Sequence, residues 1–439
     1  MCELLSALIK TLICSFIMKV SSIFRIALTL LTFAVPLLVA SWHGKLIVLL
    51  VITWLFLRAK NNLRVKEWPF LLILLALNII HLLGLMYSEN LTHGFSLIET
   101  FGPSIIIVWI VLSSDSVLDE KSIKSFIISF VSGVVTLNLA SLAFISKDLW
   151  DPKNLQSNII LANQHIVSIH PAYVSLFLSF SIFFIIDQYF PLRTVNRKIL
   201  GWVLFGLVVI SAYLIWINSR TGILSFFVAF VFYSFYRFRG RTRIVSLSLL
   251  AVMFIVIFSV PFSKERFINT PRQVLFDHTL NQSSDPNIYP LLARKMIFKS
   301  SLDLVKWPEI LFGYGTGDFR DVLNESLKQN GYHALAEKSM DQHNEYFAQL
   351  HRHGIIGLGL FLSLLIIPFR YALKYRSPLL AVFIILFSIT ALFENVWSAQ
   401  KGVTFFALFC PLLMLYARNR FEGDVDNKTL NPSFESSPN

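Results

Sequence analysis

Apolar residues run in long blocks along this chain, separated by short polar or basic segments. The blocks are Ile26–Trp42, Leu46–Leu57, Pro69–Met86, Phe95–Leu112, Ile123–Ile145, Ala172–Ile186, Ile199–Ile217, Gly222–Tyr236, Ile244–Phe262, Ile355–Phe369, Leu379–Phe393 and Val403–Tyr416. Each is near the length that crosses a bilayer as a helix, several only with the help of their flanks. The pattern predicts an all-α polytopic membrane protein of about twelve transmembrane helices. One large polar stretch interrupts the series. The expected organisation is a membrane bundle of about nine spans over residues 1–262, a mainly helical loop or cap over 263–353, about three more spans over 354–417, and a polar, disordered tail over 418–439. In the segment Met1–Val20, Lys10 interrupts the apolar run and no small-residue cleavage site follows, so it reads as a retained interfacial segment.

Composition agrees: 55% of the 439 residues are hydrophobic and 15% charged, which no ordinary soluble chain shows. The 41 phenylalanines are scattered through the apolar runs, which suits lipid-facing helices better than a base-stacking surface, so no nucleic-acid partner is expected. The net charge of +12 follows instead from topology. Alternate connections are basic: Arg58 to Lys66, Lys121/Lys124, Arg193 to Lys198, Arg237 to Arg243, Arg370 to Arg376 and Arg418/Arg420. The positive-inside bias makes these cytoplasmic, puts both termini inside and places Ser263–His353 outside. Cys2, Cys14 and Cys410 have no metal-ligand spacing and imply neither a disulfide framework nor a zinc site.

The polar stretch re-enters the membrane at Ser339-Met-Asp-Gln-His-Asn-Glu-Tyr346, leading into Ile355–Phe361. Ser339 and Gln342 read as a capping box, predicting a helix that starts there and runs unbroken to Ile367. His343 would lie in its first turn, on one stripe with Phe347, Leu350, Gly354, Gly357 and Phe361. A helix N-terminus disfavours imidazolium, so His343 is expected neutral and able to accept a proton. The alternative is a water-exposed, structurally capped histidine, and a lone histidine does not decide between them. Arg220 stands at the outer turn Ile217-Asn-Ser-Arg-Thr-Gly222, where a near-membrane charge is a functional candidate. Arg294 lies on the amphipathic segment Leu291–Val305, expected to lie along the membrane surface, where its other reading is a headgroup contact. Two arginines and a neutral histidine around one outward cavity suit an anionic diphosphate and a hydroxyl to be deprotonated. The glycines of Leu311–Asp318 suggest a phosphate cradle, but without a βαβ unit a tight turn is the better reading. The outer carboxylates Asp318, Asp321, Glu325, Glu337 and Asp341 form no paired constellation beside a span, and the first external loop, Ser41–Gly44, holds no acid, so no metal or cofactor is expected. A twelve-span transporter is the competing class, but two similar halves and acidic span interiors are lacking.

Taken together, the residues resemble the O-antigen ligase and polymerase superfamily. His343-Asn-Glu-Tyr-Phe-Ala-Gln-Leu350 with Gly354-Ile-Ile-Gly-Leu358 resembles its His-Asn-x-Tyr-Leu and Gly-x-x-Gly-Leu pattern, Asn218-Ser-Arg-Thr-Gly-Ile-Leu224 its Ser-Arg-x-x-Leu turn, and Leu311–Gly317 its glycine-rich turn. Ser168-Ile-His-Pro-Ala-Tyr173 is similar to a pattern in some members. The resemblance implies a multispan enzyme of the bacterial inner membrane with its site facing the periplasm. It would transfer a glycan from undecaprenyl diphosphate to an acceptor hydroxyl, on lipid A-core or on a growing glycan. Arg220 and Arg294 would hold the donor diphosphate and His343 would activate the acceptor, with Asn344, Tyr346 and His170 in acceptor or supporting roles. The implied partners are the lipid-linked glycan, the acceptor and membrane lipids. Ligase is preferred over polymerase, and protein glycosylation is disfavoured because no soluble domain follows the last span. Two positions depart from the pattern: Arg352, flanked by His351 and His353, stands where an acid is common, and Phe298 where tryptophan is.

Overall fold

The computed structural model describes residues 20–37, 40–59, 64–145, 155–190, 196–259, 261–276, 290–338 and 340–430. Among them there are helices and no strand. Before the polar stretch come α1 (Val20–Ala34), α2 (Ala40–Arg58), α3 (Trp68–Leu85), α4 (Leu91–Phe101), α5 (Pro103–Ser113), α6 (Glu120–Phe144), α7 (Leu155–Val167), α8 (Pro171–Tyr189), α9 (Arg197–Ile217), α10 (Arg220–Arg237) and α11 (Gly240–Ser259). The polar stretch forms α12 (Pro261–Lys264), a π-helical turn Glu265–Asn269, α13 (Thr270–Phe276), α14 (Pro290–Asp303), α15 (Glu309–Phe312), α16 (Phe319–Gln329) and α17 (His333–Glu337). The chain then returns through α18 (Glu345–Lys374), α19 (Pro378–Ala391) and α20 (Gln400–Leu430).

Eight stretches among the described residues are long and apolar enough to cross a membrane: α3, α4 with α5, α6, α8, Ile199–Ile217, α11, α18 and Gln400–Gly423. Shorter apolar helices α1 and α19 accompany them, and α2 and α10 occupy the two remaining positions read as spans. The boundaries differ in instructive ways. The first break falls at the turn containing Pro36, so Ser41–Gly44 belongs to α2 and not to a loop; the residue before a proline disfavours helix. Pro103 divides α4 from α5 because it has no N–H to give to the preceding turn. Helix α7, which the hydrophobic pattern did not single out, buries Asn163 against the Ser141 hydroxyl (2.8 Å). At the far end α20 continues to Leu430, where a disordered tail was expected from Arg418, while 431–439 and 1–19 lie outside the described residues.

The centre of the bundle is aromatic. Phe130, Phe177, Phe180, Phe383, Phe405 and Phe409, from α6, α8, α19 and α20, are buried with ring centroids such as Phe130–Phe409 at 4.7 Å and Phe177–Phe405 at 4.8 Å. This corrects the lipid-facing reading of the phenylalanines: many are inter-helix packing, where each ring pair adds about 0.5–1.5 kcal/mol beyond area burial. Helices α8 and α20 are the inner elements, whereas the spans of α9 and α11 are peripheral.

Connections of alternate parity meet at opposite ends. At one end Arg418 pairs with Glu67 and Asp115, and Arg420 with Asp187 at 3.1 Å. At the other, Asp318 accepts from the backbone N–H groups of Glu89 (2.9 Å) and Asn90 (2.7 Å), seating the polar stretch on the α3–α4 turn. The polar stretch has its own small core, in which Leu292 and Ile297 of α14 join Leu323 and Leu327 of α16 and Leu335 of α17. Part of the apolar surface of α14 is thus spent inside the cap, while Phe298 and Leu302 of the same helix stay exposed.

Candidate active site

Four connections at the cap end bring charged groups together, and the backbone marks the place. Of the four non-glycine residues with positive φ among the described residues, three are a candidate residue or stand two before one: Ser168 (φ 50) before His170, Asn218 (φ 48) before Arg220, and His343 itself (φ 50). Left-handed backbone away from glycine is uncommon and costs of order 1 kcal/mol, so it persists where surrounding structure imposes it. Each of these residues leads into a helix. His170 caps α8, Ser219 caps α10 through Gly222 N–H, and Asn344 caps α18 through Phe347 N–H (3.1 Å). Three helix N-termini therefore face one region, which favours negative charge there.

The cap of α18 corrects the sequence reading. Ser339 lies outside the described residues, and the helix starts at Glu345, with His343 outside it and not in its first turn. Nor does α18 run unbroken to Ile367: His353 (φ −137°) and Gly354 (φ 63°, ψ −157°) kink it, so the stripe proposed from His343 to Phe361 is not continuous. The glycine-rich turn explains the kink. The N–H groups of Tyr314 and Gly315 donate to the carbonyls of His351 (2.7 Å) and Arg352 (3.0 Å), which the kink frees. A Cβ on Gly313 would collide with the Arg352 backbone, and one on Gly354 with that of Leu311. Thr316 N–H donates to Gly84 O (3.4 Å) and Gly317 N–H to the Ser88 hydroxyl (3.0 Å). With these donors already engaged, the turn is an interlock and not a phosphate cradle.

At the centre stands Glu394, in the loop between α19 and α20, which sequence reasoning missed. Its Oε1 accepts from Arg294 Nη2 at 2.8 Å and lies 3.6 Å from His170 Nδ1; its Oε2 is 3.3 Å from His343 Nδ1. Burial pushes a carboxyl up, but here the hydrogen bond from His343 and the neighbouring His170 and Arg294 outweigh it, holding Glu394 below its ordinary range. Arg220 reaches the same region, its Nε donating to the carbonyl of Arg266 (3.1 Å). Arg266, in the π-helical turn, is a second residue the sequence reading passed over. The structure thus gathers His343, Arg294 and His170 directly on one carboxylate, with Arg220 beside them. Asn344 and Tyr346 are placed otherwise. Asn344 caps its helix and gives its N–H to Asn395 Oδ1 (2.8 Å), while the Tyr346 hydroxyl donates to Ser388 O (3.0 Å).

Beneath the cluster, α18 clamps the loop that carries Glu394. Glu345, fully buried, accepts from Trp397 N–H (2.8 Å) and from Gln349 (2.8 Å), and pairs with Arg352 at 3.4 Å. Arg352 in turn donates to the Ser398 hydroxyl (2.6 Å) and lies 4.3 Å from the Phe319 ring centre. The residue that departed from the family pattern is therefore a core strut and does not face the cluster. Phe298, the other departure, packs edge-on to Phe347 at 5.4 Å.

Chemically, the arrangement offers an imidazole oriented by a carboxylate, with a cluster of guanidiniums suited to an anion at its side. A search of curated proteins returned no match for the chain. A family search did: residues 205–362 match the model of a family described as O-antigen ligase, a segment that includes Arg220, Arg294 and His343. Over that segment the chain is similar to the O-antigen ligase family.

Proposed function

We propose that this protein transfers a glycan from an undecaprenyl-diphosphate donor to an acceptor hydroxyl, as an O-antigen ligase acting on lipid A-core. The observation that carries the reading is the placement of His343 and Arg294 on the two oxygens of Glu394 with Arg220 alongside. With Nδ1–H of His343 directed at Glu394, Nε2 is the acceptor. It takes the proton from the acceptor hydroxyl as the oxygen attacks the anomeric carbon. The bond from that carbon to the diphosphate breaks, and the arginines stabilise the departing undecaprenyl diphosphate. Among the described residues no second carboxylate in the cluster offers a covalent glycosyl intermediate, which supports a direct, inverting displacement.

The alternation of basic connections supports a location in the inner membrane of a bacterium, with the cap and cluster in the periplasm, both termini cytoplasmic and about twelve spans. In the test, donor-lipid affinity and glycan transfer are measured on purified variants. His343→Ala is expected to abolish transfer while keeping donor affinity, and Arg220→Lys to lose affinity, because lysine lacks the planar fork. Loss of affinity in His343→Ala with retention in Arg220→Lys would overturn the roles. Deleting the gene separates ligase from polymerase. Long glycan accumulating on undecaprenyl diphosphate supports the ligase; single-repeat glycan on the outer lipid would replace it with a polymerase.

A further inference from the structure

Arg220 and Arg266 lie together beside the cluster, Arg220 Nε donating to Arg266 O, and neither has an ion pair with any described carboxylate. The one acid at hand, Glu394, is already taken up by Arg294 at 2.8 Å. Among the described residues three guanidiniums thus face one carboxylate, so two positive charges stand unmatched there. Holding like charges together in a half-buried place is costly, and its effect is visible on Arg266: burial first, then the charges of Arg220 and Arg294, push it down to about 10. A protein does not keep such repulsion without something to offset it. The nearest acid in sequence, Glu265, is turned to Asn269 (2.6 Å) and does not answer it.

The backbone at Arg266 is also specialised. It lies in a π-helical turn, a geometry found mostly as short insertions at functional sites, and its carbonyl is the group that holds Arg220 Nε (3.1 Å). Arg266 therefore orients one guanidinium with its backbone while presenting a second with its side chain.

We infer that Arg266 is a third ligand of the donor diphosphate, and that its charge selects a diphosphate diester over a phosphate diester. The inference rests on the donor reading above and adds to it a residue and a basis of selectivity. A polyprenyl diphospho-glycan carries two negative charges, matching the two unmatched positive ones. A polyprenyl phospho-sugar carries one and would leave a guanidinium uncompensated.

The experiment measures binding of undecaprenyl diphospho-glycan and of undecaprenyl phospho-sugar to the purified full-length protein in micelles. Wild type, Arg266→Gln, Arg266→Lys and Arg220→Gln are compared. A charge-assisted pair lost to a substitution corresponds to about tenfold to hundredfold in affinity. Arg266→Gln should weaken the diphosphate lipid by that factor and the monophosphate lipid by about threefold or less, collapsing the preference between them. Arg266→Lys should lie between, and serves in place of the glutamine variant should that one not fold. Because the readout is a ratio within one folded preparation, a merely structural role would leave it unchanged. If Arg266→Gln keeps the wild-type ratio while Arg220→Gln loses it, Arg266 is not a ligand and the donor reading stands without it. If wild type binds both lipids equally, this inference fails and the donor reading stands; if wild type does not bind the diphospho-glycan, the donor reading fails and this inference with it.

Discussion

Replacing Glu394 by glutamine keeps the shape of the side chain and removes its charge. The structure then makes two opposed demands. Glu394 is buried, with 7% of its side chain exposed, and it serves His343 through one oxygen and Arg294 through the other. For His343 the loss is severe: the amide can present a donor where the imidazole needs an acceptor, and the ring is no longer held with Nε2 toward the substrate. An oriented general base contributes about 10²–10⁴-fold, so turnover is expected to fall by about 10²–10³-fold. For Arg294 the change is a release. Its charge-assisted bond to Glu394, worth about 1.5–3 kcal/mol, competes with the diphosphate for the same guanidinium. Donor affinity in Glu394→Gln should therefore be unchanged or up to about tenfold tighter while transfer collapses. Single-turnover transfer and donor-lipid titration on the same preparation read the two effects. Donor affinity falling in step with the rate would refute the reasoning, since Glu394 would then be holding Arg294 in place for the donor and not orienting His343. The stability contribution has a defined sign. Glu394 titrates below its ordinary value of 4.5, so its ion pair is intact above that pH and is lost as pH falls through the depressed value. The difference in Tm between wild type and Glu394→Gln should be flat from neutral pH to about 5 and shrink only below 4.5.

Gly354→Ala should lower Tm or abolish insertion, because its backbone (φ 63°, ψ −157°) suits glycine alone and the new methyl would meet Leu311; Gly359→Ala, which meets open space, is the matched control and should be neutral. Thermal unfolding of the two purified variants decides it, and equal Tm values would remove the interlock between turn and kink. Cysteines placed at Asn330 and Asn427 of a cysteine-free background should be labelled from outside the cell at the first and spared at the second, and the reverse would invert the proposed orientation.

The spans were legible because long apolar runs have few alternatives, and the two loop ends were legible because basic residues alternate between them. Arg220 and His343 were legible as polar groups at the edge of apolar runs. The details that failed did so where two local signals competed. Ser339 with Gln342 has the form of a capping box, but Asn344 stands directly before the helical run and its side chain takes Phe347 N–H. The kink at Gly354 depends on a turn some forty residues earlier fitting into it, which no local pattern shows.

Glu394 carries a signal of its own in the sequence. Between Lys338 and Glu422 the only acids are Asp341, Glu345 and Glu394. An acid beside apolar spans needs a partner, so each of these asked for a cation. The structure supplies an arginine to every one: Arg320 to Asp341 at 2.6 Å, Arg352 to Glu345 at 3.4 Å and Arg294 to Glu394 at 2.8 Å. The first two pairs are struts, since no imidazole shares their carboxylates through an ion pair. The third differs because His343 and His170 crowd the same acid, and because Arg220 and Arg266 beside it have no described carboxylate of their own. These two arginines lie outside that stretch in sequence and reach the shared carboxylate only through the fold, and it is on them that the proposed anionic donor would be held.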